Sequence, residues 1–218
     1  MEPTLPVTFG AYQLIERIAV GGMAEVYLAR SFGMEGFEKR LVIKKIAPQL
    51  ANNPRFVQMF VHEAKLSVSL NHPNVVQVFD LGKVGADPYM AMEYIHGRDL
   101  TQTLRVLRKE GERFDVGLAV YIAGKILRGL GYAHARTTPD GRALHIVHRD
   151  VSPHNVMISY EGEVKLVDFG IARLMGEQLG ESDPNQAGRP GGGKFAYMSP
   201  EQASGRTVSH RSDLFSLG

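Results

Sequence analysis

Short runs of alternating apolar and polar residues predict β-strands in the first half of the chain. Positions 12–18 alternate as a strand does, and Gly21-Gly22 then turns the chain into a second run at 25–29. Three further apolar runs lie at 41–46, 75–81 and 89–94, and a turn at 85–88 separates the last two. This pattern predicts a small strand-rich unit.

Two longer segments carry the spacing of an α-helix. Asn53-Pro54 supplies a cap and a first-turn proline, and apolar residues then recur at helical spacing until 71–74 breaks the pattern. From Asp115 a wide apolar face predicts a core helix, which opens a second, mainly helical unit. Farther on, runs at 156–159 and 164–167 predict a hairpin. The stretch 176–193 has no apolar period and is typical of a mobile surface loop.

Composition and charge narrow the class of protein. The 218 residues are 44% hydrophobic and 22% charged, as in an ordinary globular chain that buries a core. The net charge of +2 comes from Lys and Arg scattered over polar faces, so no nucleic-acid partner is indicated. The absence of cysteine excludes disulfides and thiolate metal sites. No apolar run approaches a membrane span and positions 1–10 lack a secretion signal, so we expect a cytoplasmic protein without a membrane segment.

Polar clusters in the second unit indicate phosphoryl transfer. The pattern of a catalytic loop occurs at 148–155, HRDVSPHN, and DFG follows at 168–170. Transfer of a phosphoryl group requires metal-binding carboxylates, a cation on the phosphates and a base for the acceptor hydroxyl. In this pattern Asp150 is the catalytic base, and Asn155 and Asp168 bind the metal.

A lysine and a glutamate in the first unit complete this chemistry. Lys44 ends an apolar run on a strand, where a charge that points inward must find a partner. Glu63 lies on the inward stripe of the predicted helix, between Met59 and Leu70, where a lone carboxylate is costly unless it meets a cation. We therefore expect Glu63 to pair with Lys44.

Together these motifs resemble those of a eukaryotic-like serine/threonine protein kinase of the type found in bacteria. The resemblance covers nearly the whole chain and also rests on GGMAEVY at 21–27, VIK at 42–44, HPN at 72–74, MEY at 92–94 and YMSPEQ at 197–202. It implies an α+β, two-lobed protein kinase fold, with a tail at 1–11, a strand-rich N-lobe at 12–95 and a mainly helical C-lobe at 96–218. It also implies ATP and Mg²⁺ as cofactors, and protein substrates phosphorylated on Ser or Thr.

Further site residues follow from the resemblance alone. Lys44, paired with Glu63, would position the α- and β-phosphates as part of the catalytic set. The other nucleotide-binding residues that the resemblance implies are Ile18, Ala19, Val20, Gly21, Gly22, Met23, Ala24, Val26, Val42, Met92, Glu93, Ile95, Asp99 and Met157. The apolar members would also be core residues in a protein that binds no ligand, so their assignment depends on the family pattern.

The site departs from the family pattern at two places. Ala19 and Ala24 stand where the phosphate-binding loop has its outer glycines, and alanine resists positive φ and stiffens the loop. Ser152 stands where the family carries a lysine that contacts the transferred phosphate. Lys194, in the place of a threonine, is our candidate for supplying that cation, and Ser182 is the predicted phosphorylation site that would pair with Arg149.

The last residues, 209–218, resemble the start of the central helix of the C-lobe, so we expect a C-lobe truncated at that helix. The apolar face of the helix from Asp115 would then need cover from a partner, and a homodimer through the N-lobe is a further expectation.

Three alternative functions stay open. The chain could be an inactive ATP-binding or scaffold module, it could phosphorylate tyrosine, or it could phosphorylate a small molecule, although SPE at 199–201 closes a segment that protein kinases use for peptides.

Overall fold

The computed structural model describes residues 5–169 and 195–218, and the chain divides into two units. Unit 1 comprises Met1–Asn71 and Gln77–Tyr94, and unit 2 comprises His72–Val76 and Ile95–Gly218. The predicted mobile loop at 176–193, Ser182 and Lys194 lie outside the described residues. The proposed domain boundaries at 11/12 and 95/96 stay predictions.

A six-stranded sheet forms most of unit 1, with the order β1-β2-β3-β4-β6-β5 and antiparallel neighbours throughout. The register sets Lys44 opposite Val26 on one side and opposite Met90 on the other. The strands are β1 Val7–Phe9, β2 Tyr12–Val20, β3 Ala24–Phe32, β4 Glu38–Ile46, β5 Val78–Val84 and β6 Asp87–Glu93.

The helix of unit 1 begins where the sequence predicts. In α1, Pro54–Val68, the Asn53 side chain accepts a hydrogen bond from Arg55 N at 3.1 Å, which satisfies a backbone donor of the first turn. Met59, Phe60, Glu63 and Ala64 are buried, so the apolar stripe faces inward. A separate cluster fills the core around the sheet, and its buried members are Phe9, Leu14, Tyr27, Ala29, Leu41, Ile43, Tyr89 and Ala91.

Two segments in the N-terminal half of the chain differ from the sequence-based expectation. The predicted strand at 75–81 is wrong at its start, because β5 begins at Val78. Val75 and Val76 instead pair with Leu166 in unit 2, where Val76 N donates to Leu166 O at 2.8 Å. The predicted tail is also more ordered than its pattern suggested, since Val7–Phe9 forms β1 and pairs with β2. An apolar run shows that a segment is buried but does not identify its hydrogen-bonding neighbour.

Unit 2 combines helices with a three-stranded sheet of order β7-β8-β9. Its core joins the inward face of α3 to β8 and β9 through Ile122, Ile126, Leu130, Val156 and Leu166. The apolar pattern of the sequence did not predict β7 or α2. The elements are β7 Gly97–Asp99, α2 Leu100–Glu110, α3 Val116–His134, β8 Val156–Ser159, β9 Val164–Leu166, α4 Pro200–Ala203 and α5 His210–Leu217.

The helix α3 differs from the expectation that no apolar run approaches a membrane span. By length and composition alone, α3 is long and apolar enough to cross a membrane. No other helix in the described part of the chain meets this test. The expectation that no apolar run approaches a span was therefore wrong. The inward residues Ile122, Ile126 and Leu130 pack in the core of unit 2, which is also how a core helix behaves.

Candidate active site

The loop between β2 and β3 in unit 1 carries the predicted phosphate contacts 19–24. It closes with a hydrogen bond from Gly21 N to Ala24 O at 2.8 Å. None of the described residues with positive φ lies between 19 and 24, so Ala19 and Ala24 impose no backbone strain in this conformation. A Cβ built on Gly22 meets nothing within 4 Å, so there is open space beside this residue.

The charged pair of unit 1 has formed as predicted. Lys44 Nζ donates a hydrogen bond to Glu63 Oε1 at 3.0 Å, between β4 and α1. Both side chains are almost buried, with 12% and 9% of their surface exposed. Water therefore screens the pair weakly, and the two opposite charges compensate each other.

The predicted nucleotide-binding residues of unit 1 differ in their burial. Val42 and Met92 are buried, and the register of β4 and β6 sets them opposite each other. Ile18, Val20 and Met23 are exposed around the β2–β3 turn, although they are large apolar side chains. Three exposed apolar side chains within one short segment fit a surface that a ligand covers.

In unit 2, the side chain of Asn155 holds the predicted base. Asn155 Nδ2 donates to Asp150 O at 2.8 Å and to Asp150 Oδ2 at 2.9 Å. The backbone N–H of Asp150 donates to His148 Nδ1 at 3.3 Å. The 3-10 turn Pro153–Asn155 returns Asn155 to Asp150, so the loop fixes its own carboxylate.

The backbone of the same loop is bound to Asp213 of α5, which is fully buried. Its carboxylate accepts from His148 N at 2.8 Å and from Arg149 N at 2.7 Å. His134 Nε2 lies 2.7 Å from the same carboxylate. Arg149 has φ of 65°, a left-handed conformation that is uncommon outside glycine, so these bonds hold an unfavourable backbone geometry.

The ring of His148 is a packed structural group. It is fully buried and lies against Phe169 with 4.5 Å between ring centroids. Nε2 donates to Val167 O at 3.2 Å, which matches the Nδ1 acceptor role toward Asp150. Burial lowers the pKa of His148, and the carboxylate of Asp213 opposes this shift only in part.

The proposed metal ligands of unit 2 offer a suitable set of donor atoms. Because Asn155 Nδ2 is engaged by Asp150, the amide oxygen Oδ1 is the atom that remains for a cation. Asp168 provides a carboxylate from a left-handed backbone position with φ of 55°. Carboxylate and amide oxygens suit Mg²⁺, which binds through few protein ligands together with phosphates. These residues therefore fit a magnesium site.

Other predicted site residues of unit 2 have additional or different contacts. Asp99 Oδ1 caps α2 by accepting from Gln102 N at 2.7 Å, and the register sets Asp99 opposite Met157. Ile95 is buried. Ser152 is also buried, and its hydroxyl has no hydrogen-bond partner among the residues that the structure describes.

Sequence reasoning did not identify Asp213 and Gln202. Gln202 Nε2 donates to Arg149 O at 2.8 Å, so both residues reach the catalytic loop from far along the chain. Asp213 occurs in a polar run, SHRSD at 209–213, that resembles an ordinary helix start. No local pattern reveals that Asp213 is fully buried, and this burial is the property that marks it.

Comparisons with known proteins agree with this geometry. The protein kinase domain family matches residues 12–218. The tyrosine-protein kinase MasK of Myxococcus xanthus is 41% identical over all of this chain and 34% of its own length. The serine/threonine-protein kinase PknB of Mycolicibacterium smegmatis is 37% identical over 95% of this chain and 31% of its own length. The predicted resemblance and α+β kinase fold are thereby confirmed.

A solved structure gives the same result. The PknI kinase domain of Mycobacterium tuberculosis is 28% identical, with a TM-score of 0.70 over 99% of this chain and 74% of that one. The chain spans about a third of the length of the curated relatives it matches. It thus aligns with most of the PknI kinase domain and with part of each curated relative.

Proposed function

Because the chain belongs to the protein kinase domain family, we propose that it transfers the γ-phosphoryl group of ATP to Ser or Thr hydroxyls of proteins. The observation that carries this proposal is the bond from Asn155 Nδ2 to the Asp150 carboxylate. It orients the carboxylate of Asp150 and leaves one amide oxygen for a metal. Protein substrates follow from the family.

In the proposed reaction the acceptor oxygen attacks the γ-phosphorus, the bond to the bridging β,γ-oxygen breaks and ADP leaves. Asp150 accepts the proton of the acceptor hydroxyl. Lys44, oriented by Glu63, binds the α- and β-phosphates. Mg²⁺, when bound by Asn155 and Asp168, would neutralise charge on the β- and γ-phosphates. The loop 19–24 and the other predicted contacts would hold the nucleotide.

Tyrosine is a second candidate acceptor. The supporting observation is Ser152, which places no cation where the serine/threonine pattern has one, and MasK is by name a tyrosine-protein kinase. PknB and PrkC, which are also similar to this chain, are serine/threonine kinases by name. We favour Ser and Thr because more of the similar proteins carry that name. Phosphoamino acid analysis of the product distinguishes the three acceptors.

Lys194 remains our candidate for the cation absent at Ser152. If Lys194 supplies it, Lys194→Ala lowers kcat strongly while binding of the nucleotide changes little. Unchanged kcat in Lys194→Ala would remove Lys194 from the catalytic set.

The predicted homodimer and the partner that would cover unit 2 also stay proposals. Sedimentation of the chain with and without nucleotide tests the homodimer. We place the reaction in the cytoplasm, where ATP is available.

The central experiment separates a kinase from an inactive binding module. The chain is incubated with Mg²⁺ and labelled ATP together with a generic protein substrate, and thermal unfolding is measured with and without nucleotide. We expect both a rise in the unfolding temperature and labelled product. Asp150→Asn should retain the thermal shift and lose the label. A thermal shift without labelled product in the unmodified chain would favour the binding module instead.

A further inference from the structure

Gln202 connects the end of the YMSPEQ segment to the catalytic loop through one side-chain amide. Its Oε1 accepts from Ser199 N and from Ser199 Oγ, each at 3.2 Å. Its Nε2 donates to Arg149 O at 2.8 Å. Ser199 is fully buried, and Ser199 Oγ in turn accepts from Gln202 N, which completes a capping box at the start of α4.

Arg149, which accepts this hydrogen bond, has an unfavourable backbone conformation. Arg149 has φ of 65°, and its N–H is already bound by the carboxylate of Asp213. With Gln202 on its carbonyl oxygen, both polar backbone groups of Arg149 are bound by side chains. A left-handed conformation at a residue with a side chain persists only where surrounding contacts stabilise it. The next residue is Asp150, so the conformation of Arg149 sets the direction in which the base emerges.

We propose that Gln202 is a positioning residue, which holds the Arg149 peptide in its left-handed conformation and thereby fixes Asp150 for the acceptor hydroxyl. The role rests on the proposed kinase function. Because the amide of Gln202 binds Ser199 at its oxygen and Arg149 at its nitrogen, a displacement of Ser199 would reach Asp150 through this amide. The amide therefore couples the position of 199–202 to the base.

The chemistry of the site requires an amide at 202. Ser199 presents two donors to Oε1, whereas Arg149 O can only accept. The end of the side chain at position 202 must therefore accept at one atom and donate at the other. An ionised glutamate would place a carboxylate oxygen against Arg149 O, with repulsion between two acceptors. A protonated glutamate has an O–H in that position and can restore the bond. The response of a glutamate variant to pH therefore tests the bond itself.

Three variants of the whole chain form the test, and the ratio of each kcat to that of the unmodified chain is measured from mildly alkaline to mildly acidic pH. We expect Gln202→Ala to lower kcat about tenfold at every pH, with KM for ATP changed less than about twofold. Gln202→Glu should be about tenfold lower at alkaline pH and recover toward the unmodified value as the pH falls. Gln102→Glu, at an exposed position of α2, is the matched control and should keep a ratio near one. The ratio to the unmodified chain removes the pH dependence that all of these proteins share.

A second readout does not depend on activity. Hydrogen exchange of the backbone amides at 148–151 should be at least about fivefold faster in Gln202→Ala than in the unmodified chain, while exchange in β2–β4 is unchanged. Equal exchange at 148–151, or a Gln202→Glu ratio that is flat with pH, overturns the proposal. If the unmodified chain transfers no phosphate, the proposed function fails, and the exchange measurement still decides the role of Gln202 in holding the loop.

Discussion

Lys44 on β4 and Glu63 on α1 form an ion pair with 3.0 Å between Nζ and Oε1, and both side chains are almost excluded from water. The adjacent lysine, Lys45, has different surroundings. Its Nζ lies 3.3 Å from the half-exposed carboxylate of Asp87 and over the ring of Phe9. Two neighbouring lysines of one strand thus provide a test residue and its control.

Lys44→Met and Glu63→Gln should each lower kcat/KM by about 100-fold or more, because each removes either the phosphate contact or its orientation. The double variant should be little worse than either single variant, since the two residues act as one unit. Each single change should also lower the free energy of unfolding by about 2–4 kcal/mol, because a buried charge loses a partner. Lys45→Met should retain activity within about twofold. Additive losses in the double variant would show that the residues act independently.

Asp213→Asn tests the anchor of the catalytic loop. The amide can accept from His148 N or from Arg149 N, but its NH₂ group then faces the other donor. We expect the free energy of unfolding to fall by about 2–4 kcal/mol, measured by urea denaturation, and kcat to fall with it. Asp140→Asn is the control, because Asp140 is an exposed carboxylate paired with Arg142. A loss of the same size in both variants would contradict a special role for Asp213.

The elements that the sequence predicted are those with a local signal. The alternation of apolar and polar residues predicted most strands of unit 1. Asn53-Pro54 marked the start of α1, because a cap acts within one helical turn. Glu63 could be assigned from its position on an apolar stripe, since a buried charge must find a partner. Much of the fold and half of the proposed site were therefore accessible from local pattern and motif.

The remaining features depend on contacts between distant positions. Asp213 binds the amide of Arg149 across 64 positions of sequence, and Gln202 binds the carbonyl across 53. Val75 and Val76 carry a strand-like pattern but pair with Leu166. Apolar pattern and residue type do not specify a partner at this separation. For the same reason no local pattern marked Asp213 as buried.

Two glycines of α3 should respond in opposite directions to alanine. A Cβ on Gly129 would lie 2.7 Å from Asn74 O and 3.2 Å from Leu166 Cδ1, whereas a Cβ on Gly131 meets nothing within 4 Å. Gly129→Ala should therefore destabilise the chain by about 1–3 kcal/mol through overpacking. Gly131→Ala should stabilise it by about 0.5–1 kcal/mol, because alanine has the higher helix propensity. Thermal denaturation of both variants measures the difference, and a stabilising Gly129→Ala would mean that α3 does not pack on Asn74 this closely.

The buried ring of His148 should make stability depend on pH. Burial lowers the pKa of His148 in the folded chain, so as the pH falls below about 6.5 the unfolded chain binds a proton that the folded chain does not. The contribution of His148 to the free energy of unfolding should be fully present above that pH and should decrease below it. The decrease is at most about 1.4 kcal/mol per pH unit for one proton. His148→Phe should be less stable at neutral pH, because it loses the bonds to Val167 O and Asp150 N, but its stability should fall less steeply toward acid.

A second histidine provides an independent check on that slope. Burial also lowers the pKa of His72, whose ring stacks on Tyr132, and the cation of Arg128 adds to the shift. His72→Phe should therefore flatten the acid limb as well, and the double variant with His148→Phe should flatten it by the sum of the two effects. Urea denaturation at a series of pH values measures all three. An acid limb that is as steep in His148→Phe as in the unmodified chain would mean that the His148 ring takes up its proton without unfolding, and the packing of His148 against Phe169 would then not exclude the charged form.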